Sequence, residues 1–130
     1  FNKSSITLFF ELEDDAVFVD DFGSRWADFR LLVPPDWQMV MLGGQHARVP
    51  VRRAAGLVQC VDTYRTHAYV IRAEGMHRLR EVWSDAPGHL DHELHRLQAT
   101  VPVYAPQPFL VGQGAGYSDV SGYVEGRRFW

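Results

Sequence analysis

Cysteine is nearly missing from this chain: Cys60 is the single one in 130 residues. An internal disulfide is therefore excluded, as is a zinc site built wholly from thiolates. A reducing, cytoplasmic setting is the expectation that follows. Long apolar runs are missing too, since none approaches the ~20 residues that a membrane-spanning helix needs. The chain does not open on the charged, apolar and small-residue succession of a secretory leader. Basic residues are few, 13 Lys and Arg against 16 Asp and Glu, for a net charge of -3. They form no block able to displace counterions from a nucleic-acid backbone, which argues against a general nucleic-acid grip. A small basic site for one phosphorylated ligand remains compatible with this balance. Repeats and low-complexity tracts are absent. The first residue is Phe rather than Met, and an apolar stretch follows almost at once. Both features lead us to expect a chain that continues upstream.

What is present describes a globular domain. Hydrophobic residues make up 46% and charged residues 22%, an ordinary balance for a packed core with a polar surface. At this length one domain is expected.

The chain is organised around Glu13-Asp14-Asp15. The run Ile6-Thr7-Leu8-Phe9-Phe10-Glu11-Leu12 ahead of it reads as a largely buried strand. Three adjacent acids at a strand's end repel one another. In a cleft that repulsion favours a bound cation or protonation of one member. Carboxylate oxygens suit a hard, octahedral ion such as Mg or Mn. The competing reading is a solvated acidic loop, since Asp20 and Asp21 follow closely.

Downstream, Phe22, Trp26, Phe29 and Leu32 step by three and four. This predicts an amphipathic helix with Asp20 or Asp21 as its cap, stopped by Pro34-Pro35. Trp37 to Leu42 reads as a short buried strand. Gly43-Gly44 ends it and permits unusual backbone angles or a close approach to a ligand. Gln45 to Arg53 reads as an exposed loop carrying Arg48, Arg52 and Arg53, either solvated or a flap over an anionic substrate. Gly56 to Val61 and Thr66 to Ile71 read as two strands joined by Asp62-Thr63-Tyr64-Arg65 as a hairpin connection. Cys60 is expected in the core and His67 to be hydrogen-bonded at a strand's start. Ala73 to Ser84 and His89 to Gln98 read as helices, and Val101 to Ala105 as a short strand. Pro106 to Trp130 reads as irregular, glycine-rich and aromatic.

Few recognised catalytic patterns survive inspection. His92-Glu93-Leu94-His95 resembles the metalloprotease helix motif, but its histidines are three apart where that motif needs four, and Arg96 holds the fourth position. A weak metal site on that face competes with a plain polar face. Ser118 lacks the following glycine of a nucleophile elbow. Gly112-Gln113-Gly114-Ala115-Gly116 is glycine-rich without the strand-to-helix setting of a phosphate cradle.

Taken together, several segments resemble a known family. These are Leu12-Glu13-Asp14-Asp15, Asp21-Phe22, Trp37 to Gly43, Thr66-His67-Ala68-Tyr69-Val70-Ile71, Leu90-Asp91, Gln113 and Ser118-Asp119-Val120. Their order is similar to that of the family 25 glycosyltransferases, the lipooligosaccharide and collagen galactosyltransferase type. The resemblance runs over most of the chain and rests on order and spacing, because each motif alone is common. It implies an α/β fold of GT-A type, a mixed sheet with flanking helices and a nucleotide-sugar site at the strands' carboxyl ends. It implies a metal-dependent transferase that moves a sugar from a nucleotide-diphosphate donor to a hydroxyl of a glycan or other acceptor. By the same resemblance Glu13 and Asp15 would hold Mn or Mg, and Asp14 would reach the ribose or donor sugar. His67 and Tyr69 would line the cleft. Asp91 would act as general base for the attacking hydroxyl. Ser118 and Asp119 match a late polar motif and stand with the donor-site residues.

Two departures from the family pattern matter. Members carry a long stretch before the acidic strand, so this chain resembles the C-terminal part of such a domain, which a partner chain or homo-oligomer could complete. The late histidine that completes metal coordination in many GT-A enzymes has no clear counterpart after His95. Two other readings compete. One is a non-catalytic glycan-binding remnant using Trp37, Trp83, Tyr104 and Tyr117. The other is a small metal-hydrolase using His89, Asp91, His92 and the first acids, which demands that the late helix pack against the end of the first strand.

Overall fold

The computed structural model describes residues 8–83, 90–114, 116–117, 124–125 and 129. In chain order its elements are β1 (Leu8–Leu12), β2 (Ala16–Phe18), α1 (Phe22–Phe29), β3 (Met39–Met41), β4 (Gln45–His46), β5 (Val51–Ala54), β6 (Leu57–Gln59), β7 (Thr63–Tyr64), β8 (Ala68–Arg72), α2 (Ala73–Val82), α3 (Leu90–Leu97), β9 (Val103–Pro106), β10 (Val111–Gln113), β11 (Gly116–Tyr117) and β12 (Val124–Glu125). Six strands form one mixed sheet in the order β1-β8-β3-β9-β6-β5. Among the described residues its one parallel pair is β3 with β9.

Strand pleating divides the core in two. Met39, Met41, Tyr69, Ile71, Val103, Ala105 and Val58 point to one face, where Leu79 of α2 and Leu94 and Leu97 of α3 cover them. Val40, Leu42, Ala68, Val70, Tyr104 and Leu57 point to the other, against Phe22, Trp26 and Phe29 of α1. Alternate residues of a central strand are thus buried by different layers. That is why Trp37 to Leu42 and Thr66 to Ile71 read as near-continuous apolar runs. Cys60 lies in this core, and burial pushes its thiol up to about 12. It is therefore a packing residue with no thiolate character at neutral pH.

Several expectations need correction. β1 is not buried: all five of its residues are exposed. It is an outer strand of the sheet that pairs with β8, and an apolar run cannot reveal whether both of its flanks are covered. β6 and β8 do not form a hairpin, because β9 and β3 lie between them. Their connection instead supplies β7, which pairs with β4. The supposed loop Gln45 to Arg53 accordingly contains β4 and β5. The irregular tail contains β10, which pairs with β2, and the short pair β11 and β12. Asp21 holds the N-cap position of α1 but makes no side-chain cap bond. It lies 3.5 Å from Arg25 Nε instead.

Candidate functional site

The strand directions gather four loops at one end of the sheet. β1, β3 and β9 end there, and β8, running the other way, starts there. Glu13 to Asp15 leaves β1 as a tight turn closed by the Ala16 N–H donating to the Glu13 carbonyl at 3.0 Å. The Glu13 N–H donates to the His67 carbonyl at 3.0 Å, which extends the β1–β8 ladder by one residue. On the opposite side the Asp15 carbonyl accepts the Gly114 N–H at 2.6 Å, continuing the β2–β10 ladder. The acidic turn is therefore pinned by backbone on both flanks.

Side chains complete the arrangement. Thr66 Oγ1 donates to Glu13 Oε1 at 2.6 Å. Arg65 donates from Nε to Gln45 Oε1 at 3.0 Å and from Nη1 to Gln113 Oε1 at 3.2 Å, which links the segment ahead of β8 to the start of β4 and the end of β10. His67 is fully buried, with Nε2 3.0 Å from the Val111 carbonyl oxygen. A carbonyl only accepts, so Nε2 carries the ring proton. Burial lowers the His67 pKa. The Val111 carbonyl, Glu13 and Asp15 pull the other way, and Arg65 adds to the lowering. Both outer acids of the turn thus lie within electrostatic range of one imidazole. Tyr69 is buried one step along the same strand, and its pKa is raised by burial, then by Glu11 and Glu13.

Gly43 explains how His67 gets in. A Cβ there would collide with His67 Nε2 and with the Val111 carbonyl. The space at Gly43 is thus taken by the protein's own His67 and Val111, where the sequence suggested a ligand.

Helix α3 reaches the same end. Its Gln98 holds Thr63 through two hydrogen bonds, accepting the Thr63 N–H at 3.0 Å and donating to the Thr63 carbonyl at 2.7 Å. From there the chain runs back along the helix. The Tyr64 ring stacks on His95 at 4.7 Å and touches His92 at 5.5 Å, before Arg65 and Thr66 enter the site. Asp91 precedes His92 in this first turn, and its side chain lies outside the described residues. So do Ser118 and Asp119, and His89.

Of the residues weighed for a weak metal site on the α3 face, His95 is engaged by another partner. His95 Nε2 lies 2.7 Å from Asp62 Oδ1, whose other oxygen lies 3.5 Å from Arg48 Nε. Among the described residues no three His, Cys, Asp or Glu side chains are grouped to hold a metal ion. Two of the four aromatics weighed for glycan binding are engaged elsewhere. Trp37 is buried under the Arg72 guanidinium, 4.2 Å from its ring, and buried Tyr104 donates to Asp36 Oδ1 at 2.9 Å. Trp83 is partly exposed, and the Tyr117 side chain lies outside the described residues.

The chain matches no family model, no curated protein and no solved structure.

Its chemistry must therefore be argued from the site. Glu13, Asp14 and Asp15 are all exposed. Two open clefts border α1, one of about 530 Å³ lined by Val19, Asp20, Asp21, Arg25 and Phe129. The other, of about 220 Å³, runs from Arg25, Asp28 and Leu32 to Gly56 and Pro106 to Pro108. The acidic turn lines neither, and neither gathers a comparable set of polar groups from several strands. What the turn offers is exposed carboxylates on a backbone pinned from both flanks. No helix of the described residues is long and apolar enough to cross a membrane.

Proposed function

We propose that this chain is the acidic, donor-binding part of a GT-A-type glycosyltransferase that moves a sugar from a nucleotide-diphosphate donor to a hydroxyl acceptor. One observation carries the reading. Segments far apart in sequence, Glu13 to Asp15, Gly43 to Gln45, Arg65 to His67 and Val111 to Gly114, are joined by hydrogen bonds at the carboxyl ends of three strands. Ligands of open α/β sheets bind at such an end. Of these residues, Glu13 to Asp15, Gly43, Thr66, His67 and Gln113 also belong to the segments whose order resembles the family 25 enzymes.

In this reading Glu13 and Asp15 would hold Mn or Mg. A hard divalent cation there would offset the charge that builds on the leaving diphosphate. The chain's own groups do the rest. Thr66 orients the Glu13 carboxylate, and buried His67 and Tyr69 form the floor behind the turn. Asp14 lies at the tip, where a ribose or donor sugar would reach. During transfer the bond from the sugar's anomeric carbon to the diphosphate oxygen breaks, a bond to the acceptor oxygen forms, and Asp91 takes the hydroxyl proton. By the resemblance alone, Ser118 and Asp119 would stand with the donor-site residues.

Titration calorimetry with a nucleoside diphosphate in the presence of manganese tests the reading. Binding that vanishes with chelator and falls at least tenfold in Asp15→Asn supports it. Binding indifferent to chelator would favour a metal-free glycan or nucleotide module and sink the metal-dependent transferase.

A further inference from the structure

Among the described residues the mixed sheet ends in β1 on one side and β5 on the other, and the chain treats these two edges differently. β5 carries devices that oppose strand addition. Pro50 precedes it, Arg52 and Arg53 stand exposed on it, and its pairing with β6 shifts register between Arg52 and Ala54. A proline, a bulge and positive charge each discourage pairing with another chain. β1 has none of these. Its register with β8 is unbroken from Leu8 to Leu12, it holds no proline and no basic residue, and its one charge is Glu11. Its other four side chains are apolar and exposed. The contrast within one sheet marks β1 as an interface.

The backbone fixes which groups β1 has to offer. The Glu13 N–H donates to the His67 carbonyl, in line with the β1–β8 register. Antiparallel bonds alternate, so Phe9 and Glu11 face β8 as Glu13 does. The backbone groups of Leu8, Phe10 and Leu12 therefore point to the free edge. β8 shows the same alternation: Ala68 and Arg72, opposite Leu12 and Leu8, turn their bonds to Leu42 and Gln38 on the β3 side.

A second copy of β1 complements these groups. With a two-fold axis through Phe10, the copies pair antiparallel, Phe10 with Phe10 and Leu8 with Leu12. Each outward-facing residue then has a partner for both its N–H and its carbonyl. Glu11 falls opposite Phe9, so the strand's charge does not meet its own copy. An axis through Glu11 would set two carboxylates opposite each other, which is destabilising. An axis through Phe9 would carry Leu12 past the end of the second β1. The Phe10 register also sends the two acidic turns to opposite ends of the shared ladder. They would lie about 20 Å apart, beyond the screening length of about 8 Å at physiological salt.

We propose that this chain forms a two-fold dimer through β1, in which Phe10-centred pairing joins two sheets into one. The axis preserves faces. Phe10, opposite Val70, meets its copy on the α1 face, while Phe9, opposite Ile71, meets Glu11 on the face of α2 and α3. The inference is independent of the donor-site reading.

Sedimentation of the full chain over a concentration series should show the mass rising to that of two chains and stopping there. Val51→Lys, on the guarded edge, should leave this unchanged. Phe9→Cys and Glu11→Cys read the register. In the dimer these positions face each other as a non-hydrogen-bonded pair with Cα atoms about 4.5 Å apart, within disulfide reach, whereas Phe9 with Phe9 and Glu11 with Glu11 are diagonal at about 7–8 Å. Under mild oxidation a mixture of the two variants should give at least about fivefold more cross-linked dimer than either alone. Cys60 is buried, with its thiol pushed up to about 12, and stays out of the reaction. A parent that stays monomeric overturns the dimer, and the edge then belongs to another segment or another protein. Growth beyond two chains, or dissociation in Val51→Lys, overturns the two-fold arrangement. Cross-linking as strong in either variant alone as in the mixture overturns the Phe10-centred register.

Discussion

His67 Nε2 and the Val111 carbonyl oxygen, 3.0 Å apart, tie the first residues of the β8 edge to β10 across the end of β3. The bond exists because nothing stands between: Gly43 has no side chain to fill that space. The Gly43 N–H is itself bound to the Ala68 carbonyl at 3.2 Å, so its backbone cannot simply retreat. Gly43→Ala should therefore break the His67 bond and push β10 outward, at a cost of about 3 kcal/mol, the upper part of the range for forced overpacking. The urea midpoint measures this. A midpoint within experimental error of the parent would mean that the close approach has no structural weight.

Acid should loosen the same region before it touches most carboxylates. Burial lowers the pKa of His67 and of His46, the latter bonded to Thr63 Oγ1 at 2.7 Å and stacked on Phe109. As pH falls through about 6.5 the unfolded chain takes up these protons, while the folded chain does not until lower pH. The unfolded state then binds more protons. Stability is therefore full above the unfolded pKa, falls as pH drops through the folded values, and levels off once both states are protonated. The slope is at most about 1.4 kcal/mol per pH unit for each histidine. Denaturation at about pH 7.5 and about pH 5.5 should give a lower midpoint in acid, with a smaller difference in His46→Gln. Equal midpoints in the parent would refute this.

Gln98 offers a cleaner test of how α3 is attached. Its buried amide makes both bonds to the Thr63 backbone, and its Nε2 also lies 3.9 Å from Met41 Sδ. Gln98→Leu keeps similar bulk but strands a buried N–H and a buried carbonyl, at a cost of about 2–4 kcal/mol. Thr63 leads through Tyr64 to Arg65 and Thr66, so on the proposed donor-site reading the loss should also weaken nucleotide binding at a distance. Hydrogen exchange at the Thr63 amide is the direct readout. Continued protection there in Gln98→Leu would show that β7 is held by its pairing with β4 alone.

The sequence was legible wherever burial was two-sided. Met39-Val40-Met41-Leu42 and Ala68 to Ile71 are apolar at every step because each alternate residue meets a different helix layer, and that pattern needs no tertiary knowledge. Leu8 to Leu12 carries the same local signal yet lies exposed at the sheet's edge, because hydrophobicity records what a strand could bury and says nothing about which neighbours it has. Pairing was the other blind spot. The short connection from Asp62 to Arg65 suggested a local hairpin, but β9 and β3 separate the two strands, and only long-range packing decides that. At the site, Glu13, Asp15 and His67 could be marked as candidates from their setting, and Gly43 as a point of close approach. Arg65 and Gln98 could not. An arginine in a polar connection carries no mark of the left-handed backbone that Arg65 adopts at φ +77°, and a glutamine at a helix end does not announce which chain segment it will clamp.

The exposed β1 edge carries the last prediction. Leu8, Phe9, Phe10 and Leu12 are 48, 43, 51 and 44% exposed, and among the described residues β8 is the strand that pairs with β1. An edge strand with apolar residues on both faces is a template for pairing with another chain, and the one charge within it, Glu11, points to only one of them. In β1 register Phe10 lies opposite Val70 and Phe9 opposite Ile71, so alternate substitutions probe the two faces separately. Phe10→Lys should suppress self-association, because a charge on an edge strand opposes strand addition. Removal of an exposed ring should change the melting temperature little, with an expected shift in stability of about 0.5 kcal/mol either way. Light scattering across a concentration series, read beside thermal melts, checks both halves. Unchanged association in Phe10→Lys would mean that β1 is not the sticky edge, whereas a large loss of stability would mean that Phe10 supports the sheet despite its exposure.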